Sequence, residues 1–262
     1  MRLLCIGDVV GGPGRRILAG LLPALTREHG VGLVVANGEN LAGGVGITAA
    51  TAEDLFAAGV GVITGGNHTW KHKEALGALE RDARLLRPYN YPAGAPGRGL
   101  TVVDTPEGPV AVLNLLGRIF MEPVDCPFAA ADRALAELAS RAKIIVVDMH
   151  CEATSEKRAM GWHLCGRATV VYGTHTHVPT ADEEVLPGGT AYVTDLGMTG
   201  PYDSVIGTRK DKVLQRFLSM RPVSFDTASG DLQLRALLVD VDARTGRATA
   251  VARLKVPYLE PA

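Results

Sequence analysis

Three short apolar runs in the first quarter of the chain each end in a glycine-containing polar loop, and each is followed by a helical pattern. The runs cover residues 3–8, 33–36 and 60–64. Helices are predicted at about 15–28 and 71–81, and Thr48 and Thr51 are candidate caps for a helix between them. Strands that are apolar throughout and alternate with helices are typical of a parallel sheet covered on both faces. The repeat therefore predicts an α/β fold.

The middle and the C-terminal part of the chain add two predicted hairpins, one helix and two further buried strands. The hairpins cover residues 100–115 and 234–256, each around a turn that contains glycine. An amphipathic helix is predicted at 129–141, and buried strands are predicted at 144–147 and 169–172. The hairpins require antiparallel pairs beside the parallel strands, so we expect a mixed sheet or two stacked sheets.

Composition and length favour one globular domain over residues 1–262. No linker or compositional break divides the chain, and 262 residues allow a single large domain. Hydrophobic residues make up 47% and charged residues 21%, which excludes a disordered chain. The formal net charge of −1 supplies no global field for nucleic acid or an anionic membrane. We therefore expect no stable complex with nucleic acid and no membrane partner.

Sequence features also favour a cytoplasmic location. The N-terminal apolar run ends at Asp8, too early for a signal peptide, and no apolar stretch approaches the roughly 20 residues of a membrane helix. The cysteines form no Cys-x-x-Cys pair, which favours reduced thiols in a reducing compartment. They are Cys5, Cys126, Cys151 and Cys165.

Five of the apolar runs end in side chains that can bind a metal. These side chains are Asp8, Glu39 with Asn40, Asn67 with His68, His150, and His175 with His177. In open α/β sheets, ligands bind outside the carboxyl ends of the strands. If the runs lie side by side in parallel, all of these side chains converge on one rim. This convergence is the strongest functional inference that the residues alone permit.

The donor atoms of this set agree with one another chemically. Carboxylates, amide oxygens and imidazoles form a mixed oxygen–nitrogen set without a thiolate, and it is too large for one tetrahedral zinc ion. Two metal ions roughly 3.5–4 Å apart would use such a set, and would hold a phosphoryl group and lower the pKa of a bridging water. Manganese or iron suits these donors best, and zinc or cobalt would also bind.

Each residue of the set also has a purely structural alternative. Asp8 can cap a helix or bind a ribose, and Glu39 can be a solvated loop charge. Asn67 and His68 can be turn residues, and His150 can be a hydrogen-bonded core histidine. Only the joint occurrence of these residues at successive strand ends favours the metal site.

The pair His175 and His177 is harder to explain structurally. In an extended chain, alternate residues point to the same face, so both imidazoles would be presented together. Asp148 and Glu152 flank His150 and are candidate partners for the ring nitrogens that do not bind metal.

The ordered motifs resemble those of the calcineurin-like metallophosphoesterases, and more closely the YmdB-type bacterial branch, which includes cyclic-nucleotide phosphodiesterases. The motifs are Gly7-Asp8, Gly38-Glu39-Asn40, Gly66-Asn67-His68, His150 and Gly173-Thr174-His175-Thr176-His177. The resemblance covers nearly the whole chain, to about Gly207. It implies a two-sheet α/β sandwich of the metallophosphoesterase type, with mixed sheets and helices on both outer faces.

The resemblance also implies a role for each site residue. One metal ion would be held by Asp8, Glu39, Asn40 and His177. Glu39 would bridge to a second ion, which would also be held by Asn67, His150 and His175. His68 is not needed as a ligand, and its position matches the histidine that protonates the leaving oxygen in this family.

Two departures from the wider superfamily concern the first metal. Val10 stands where the usual Asp-x-His opening has its histidine, and the bridging acid is Glu39 where aspartate is more common. Both changes make the site richer in oxygen, which favours iron or manganese over zinc.

The resulting hypothesis is a dimetal phosphodiesterase. A metal-bridging hydroxide would attack phosphorus and His68 would protonate the leaving oxygen. The substrate would be a small phosphodiester, with 2′,3′- or 3′,5′-cyclic nucleotides implied by the resemblance. The alternatives are a regulatory metal- or nucleotide-binding protein with little turnover, and another dimetal hydrolase such as a phosphomonoesterase. A homo-oligomer is compatible with the sequence but is not indicated by it.

Overall fold

The computed structural model describes residues 1–259, and its strands form two sheets that pack face to face. The strands of the first sheet are β1 (Arg2–Ile6), β2 (Asp8–Val9), β3 (Leu33–Asn37), β4 (Val62–Thr64), β11 (Met198–Pro201), β12 (Leu232–Asp242) and β13 (Arg247–Pro257). Those of the second are β5 (Leu100–Thr105), β6 (Gly108–Leu116), β7 (Ile144–His150), β8 (Val170–Thr174), β9 (Glu184–Leu186) and β10 (Thr190–Val193).

Both sheets are mixed. In the first, β1 pairs in parallel with β3 and antiparallel with β12, and β4 extends the parallel part. In the second, β6, β7, β8 and β10 are parallel, with antiparallel β5 and β9 at the edges. Both predicted hairpins are confirmed, as β5–β6 and β12–β13.

Residues 1–259 contain six helices. They are α1 (Gly11–His29), α2 (Ala49–Ala57), α3 (Glu74–Arg81), α4 (Pro127–Leu138), α5 (Thr154–His163) and α6 (Lys210–Ser219). Of these, α1 to α5 cover the outer faces of the two sheets. One apolar cluster lies between the first sheet and α1 to α3, and another lies between the second sheet and α4 and α5. A third cluster, which includes Leu3, Val35, Val112 and Val146, lies between the sheets. The predicted two-sheet α/β sandwich is confirmed.

Helix boundaries differ from those predicted. Helix α1 begins at Gly11 rather than near Arg15, since Pro13 is accommodated in the first turn, where a missing N–H costs nothing. Helix α3 begins at Glu74, three residues late, because residues 71–73 form turns. Of the two candidate caps, Thr48 caps α2, and Thr51 lies inside the helix, where it completes a capping box with Thr48.

Two further observations concern the whole chain. All four cysteines are unpaired. Among the helices within residues 1–259, none combines the length and apolar character that crossing a lipid bilayer requires.

Candidate metal centre

All eight predicted site residues lie around one cleft, at the carboxyl ends of five strands. Asp8 follows β1, Glu39 and Asn40 follow β3, Asn67 and His68 follow β4, His150 ends β7, and His175 and His177 follow β8. Both sheets present these ends at the same rim because the apolar layer between them aligns their parallel strands. Residues far apart in the sequence thus meet, as the strand-end argument predicts.

The inner part of the cleft contains Glu39, Asn67, His150 and His175. The Glu39 Oε2 atom lies 3.1 Å from His150 Nε2, which is also 3.1 Å from His175 Nδ1. The Asn67 Oδ1 atom lies 3.2 Å from the same nitrogen. One donor atom each from Glu39, His150 and His175 lie within 4.8 Å of one another, close enough to hold one cation.

The outer part of the cleft contains Asp8, Asn40 and His177, again with Glu39. The Asn40 Nδ2 atom lies 3.0 Å from His177 Nε2 and 3.1 Å from Glu39 Oε1. The His177 Nε2 atom lies 3.8 Å from Asp8 Oδ1. Glu39 therefore faces both groups through its two oxygens, which suits a bridging carboxylate.

Asp8 supplies a direct test of whether a cation fits here. Its Oδ2 atom accepts a hydrogen bond from the His175 backbone N–H at 3.0 Å. Its Oδ1 atom is fully buried and has no hydrogen-bond partner among residues 1–259. A buried carboxylate oxygen without a partner is costly, and a metal ion is the usual compensation.

Each of the three candidate ligand histidines has an oxygen partner for one of its ring nitrogens. The partners are Thr174 Oγ1 for His150 Nδ1 at 2.9 Å, Glu152 Oε2 for His175 Nε2 at 3.2 Å, and the Ile206 carbonyl for His177 Nδ1 at 2.8 Å. Assigning the N–H to these nitrogens leaves His150 Nε2, His175 Nδ1 and His177 Nε2 unprotonated and directed at the cleft. This is the arrangement that orients histidine ligands in metal sites.

Asp148 is not the direct partner of His150 that the sequence argument proposed, because Thr174 lies between them in a buried network that the argument missed. Thr174 donates to Asp148 Oδ1 at 2.6 Å, so its oxygen is free to accept from His150. Asn37 donates to the other Asp148 oxygen at 3.0 Å, and Thr64 also donates to it. Asn37, Thr64 and Thr174 are polar residues at the ends of apolar strands. That same signal could have identified them, as it did Asp148.

The His175–His177 segment is not extended, contrary to the prediction. His175 has φ 97° and His177 has φ 64°, both in the left-handed region that non-glycine residues rarely adopt. The His175 imidazole contacts His150 in the inner part of the cleft, and the His177 imidazole contacts Asn40 in the outer part. The two rings therefore do not share the face of a strand. Thr176 anchors the turn because its hydroxyl donates to Asp195 Oδ2 at 2.8 Å.

Burial and mutual charge set the pKa values of these groups. Burial raises the pKa of Asp8 above its usual value. Burial also acts to raise the pKa of Glu39, but His150 and His68 outweigh it and hold that pKa well below its usual range. Burial lowers the pKa of His150, but nearby carboxylates, above all Glu39, outweigh it and raise that pKa to about 9. Burial and neighbouring His150 lower the pKa of His175 to about 3.

His68 lies beside Glu39 and Asn40 at the open side of the cleft. Its Nδ1 atom is 2.9 Å from Asn40 Oδ1 and 3.2 Å from Glu39 Oε1, and about a third of its side chain is exposed. Its backbone N–H donates to Glu39 Oε2 at 3.1 Å. Glu39 and Asn40 thus orient the ring, a role for which the sequence identified no residue near His68.

The cleft has a volume of about 400 Å³ and is bordered by Glu39, Asn40, His68, His175 and His177. Gly66 keeps its inner end open, because a Cβ atom at this position would overlap the Glu39 carboxylate and the His150 ring. The volume is within the range of small-molecule sites, roughly 300–1,000 Å³.

Comparison with known proteins identifies the family of this chain. The model of the YmdB-like protein family matches residues 4–254. The chain is 45% identical over 256 residues to the 2′,3′-cyclic-nucleotide 2′-phosphodiesterase of Bacillus subtilis, covering 98% of this chain and 97% of that protein.

Two solved structures have nearly the same fold. A hypothetical protein from Thermus thermophilus has a TM-score of 0.92 at 43% identity, over 98% of this chain and 99% of its own. A novel phosphatase from Mycoplasma pneumoniae has a TM-score of 0.92 at 32% identity, over 98% of this chain and 93% of its own. The chain therefore belongs to the YmdB-like protein family.

Proposed function

We propose that this protein hydrolyses phosphodiesters and that its substrates are 2′,3′-cyclic nucleotides. The observation that carries the proposal is the convergence of two acidic, two amide and three imidazole side chains on one cleft. The Bacillus subtilis relative, which carries 2′,3′-cyclic-nucleotide phosphodiesterase activity in its name, favours the 2′,3′ isomers over the 3′,5′ isomers.

The proposed cofactor is a pair of metal ions, with iron or manganese favoured by the oxygen-rich donor set. Asp8, Glu39, Asn40 and His177 would hold one ion. Glu39, Asn67, His150 and His175 would hold the other. The unpartnered Asp8 Oδ1 atom and the three oriented imidazoles support this assignment. When bound, such a pair supplies Lewis-acid activation of water and neutralises charge on phosphoryl oxygens.

His68 is the proposed general acid. Its Nδ1 atom faces Asn40 and Glu39, which leaves its Nε2 atom free to carry a proton to the leaving oxygen of the substrate. The Glu39 carboxylate would pair with the imidazolium that this role requires. General acid catalysis of this kind contributes about 10²–10⁴-fold to the rate.

Phosphomonoester hydrolysis is the second candidate, because the Mycoplasma pneumoniae structure of the same fold is described as a phosphatase. A regulatory metal- or nucleotide-binding role with little turnover is a third.

We also propose a cytoplasmic location, which the four unpaired thiols support, and a single domain, which the core shared by the two sheets supports. Self-association is compatible with the sequence but not indicated by it, and sizing of the purified protein tests it.

A substrate panel tests the proposed function. Metal-loaded protein is assayed with 2′,3′-cyclic AMP, 3′,5′-cyclic AMP and p-nitrophenyl phosphate. The proposal predicts the highest kcat/KM for the 2′,3′ isomer. A preference for p-nitrophenyl phosphate would favour the phosphatase alternative. Tight binding of 2′,3′-cyclic AMP without turnover would favour the regulatory one.

A further inference from the structure

The cleft has a second, apolar half that the metal centre does not use. Val45, Ile206 and Phe225 line the cleft beside the polar residues, and their side chains are 41%, 53% and 51% exposed. Phe225 is the one aromatic side chain among the described residues that line this cleft, apart from the histidines. Half-exposed apolar side chains beside a polar site are typical of a surface that a ligand covers.

The backbone at this apolar rim is held in place. Ile206 has φ 46°, a strained value for a β-branched residue. Its carbonyl accepts the hydrogen bond from His177 Nδ1, which fixes the position of Ile206 relative to the His177 imidazole. Backbone strain of this kind persists where the surrounding structure enforces it, and it is concentrated at functional sites.

Hydrogen bonds connect the residues that follow Phe225 to other parts of the cleft. Thr227 Oγ1 donates to the Gly43 carbonyl at 3.2 Å, and the Ala228 N–H donates to the Gly207 carbonyl at 2.9 Å. Arg209 donates its backbone N–H to the Asp226 carbonyl at 3.0 Å. Phe225 is therefore presented by an anchored loop and can act as a fixed platform.

We infer that Phe225 stacks on the nucleobase of the substrate, with Ile206 and Val45 packing around the base. This inference rests on the proposed function and adds the residues that recognise the base. A cyclic nucleotide is polar at its phosphate end and flat and aromatic at its base end, which matches a cleft lined by both polar and apolar side chains. Because every nucleobase has a π-face, stacking on one ring tolerates all four bases.

The test compares two substrates that differ only in the base. One is 2′,3′-cyclic AMP, and the other is the 2,3-cyclic phosphate of 1,4-anhydroribitol, which keeps the sugar and phosphodiester but has no base. We expect Phe225→Ala to raise KM for 2′,3′-cyclic AMP by about 5- to 100-fold with little change in kcat, because base stacking is lost. KM for the base-free substrate should change less than about twofold.

Two variants control for general effects of the substitution. Phe225→Tyr keeps an aromatic platform and should restore the wild-type KM. Phe217→Ala removes an exposed phenylalanine of α6 that does not line the cleft, and it should leave both KM values unchanged.

An equal rise in KM for both substrates, or no rise for either, would overturn the inference, since Phe225 would then not contact the base. Failure of the proposed function is a separate result, because it appears as wild-type protein that hydrolyses neither substrate. In that case the dissociation constants of the same two ligands are measured with wild-type protein and Phe225→Ala. A base-dependent loss of affinity supports the stacking role, and its absence contradicts it.

Discussion

His68 contacts the proposed ligands Glu39 and Asn40 but is not itself proposed as a ligand. Its loss should therefore affect turnover far more than metal content. We expect His68→Ala to lower kcat on 2′,3′-cyclic AMP by about 10²–10⁴-fold, because no other side chain is proposed to donate the proton to the leaving oxygen. Metal content should stay at the wild-type level. The measurement pairs steady-state kinetics with elemental analysis.

His29→Ala, at the end of α1, is the matched control and should leave both quantities unchanged. A diester with a good leaving group, such as bis(p-nitrophenyl) phosphate, needs little protonation and should lose less activity in His68→Ala. Activity within a few-fold of wild type on the cyclic nucleotide would contradict the role of His68.

We expect His150, as a proposed metal ligand, to make metal binding dependent on pH. Its pKa is about 9 without metal, because the nearby carboxylates outweigh the effect of burial. The ring must lose a proton to bind a cation, so below pH 9 metal and proton compete. We expect the apparent affinity of metal-free protein for Mn²⁺ to rise about tenfold per pH unit between pH 7 and 8 from this group alone. A competition titration at both values measures it, and equal affinities would contradict it.

At the scale of elements, the turn after β8 depends on a buried ion pair. Lys157 of α5 and Asp195 lie 2.6 Å apart, and each is about 1% exposed. Asp195 also accepts the Thr176 hydroxyl, which lies between His175 and His177. The pair therefore connects α5 to the strained turn that carries two proposed ligands.

We expect Lys157→Met to lower the free energy of unfolding by about 3–5 kcal/mol, because Asp195 would stay buried without its partner. Combining it with Asp195→Leu removes the charge as well and should recover part of the loss. Urea unfolding of metal-free protein measures both variants. A loss in Lys157→Met below about 1 kcal/mol would show that the pair does not anchor the turn.

The predictable elements are those whose apolar pattern is continuous. Strands β1, β3, β4, β7 and β8 were predicted because they are buried on both faces. Helices α5 and α6 were not predicted. Helix α5 buries Glu156 and Lys157, so its buried face is not apolar in the sequence. In α6, apolar residues do recur at helical spacing, at Val213, Leu214, Phe217 and Leu218, but the sequence argument assigned no element there. Only Val213 of this stripe is buried.

At the scale of the whole molecule, the residue patterns alone left open whether the strands form one sheet or two, and only the family resemblance implied two. The first sheet is assembled around β12, from the C-terminal hairpin, which pairs with β1 and β11. Such pairing between distant segments depends on tertiary packing, which no local pattern records. The convergence of the eight candidate residues was nevertheless predictable, because the carboxyl ends of parallel strands lie at one edge of a sheet. Their roles as metal ligands and proton donor are proposals. The supporting network from Asp148 through Thr174 to His150 was not predictable, because its contacts depend on tertiary packing.

The two sheets meet at Glu39, which follows β3 of the first sheet and contacts His150 of the second. The central proposal is that this carboxylate bridges two metal ions. The most direct measurement is the metal content of anaerobically purified protein, compared with Glu39→Gln, by elemental analysis. We expect about two equivalents of iron or manganese in the wild type and loss of most of them in the variant. Wild-type protein that neither contains nor binds these metals, or a variant that retains both equivalents, would contradict the bridged centre.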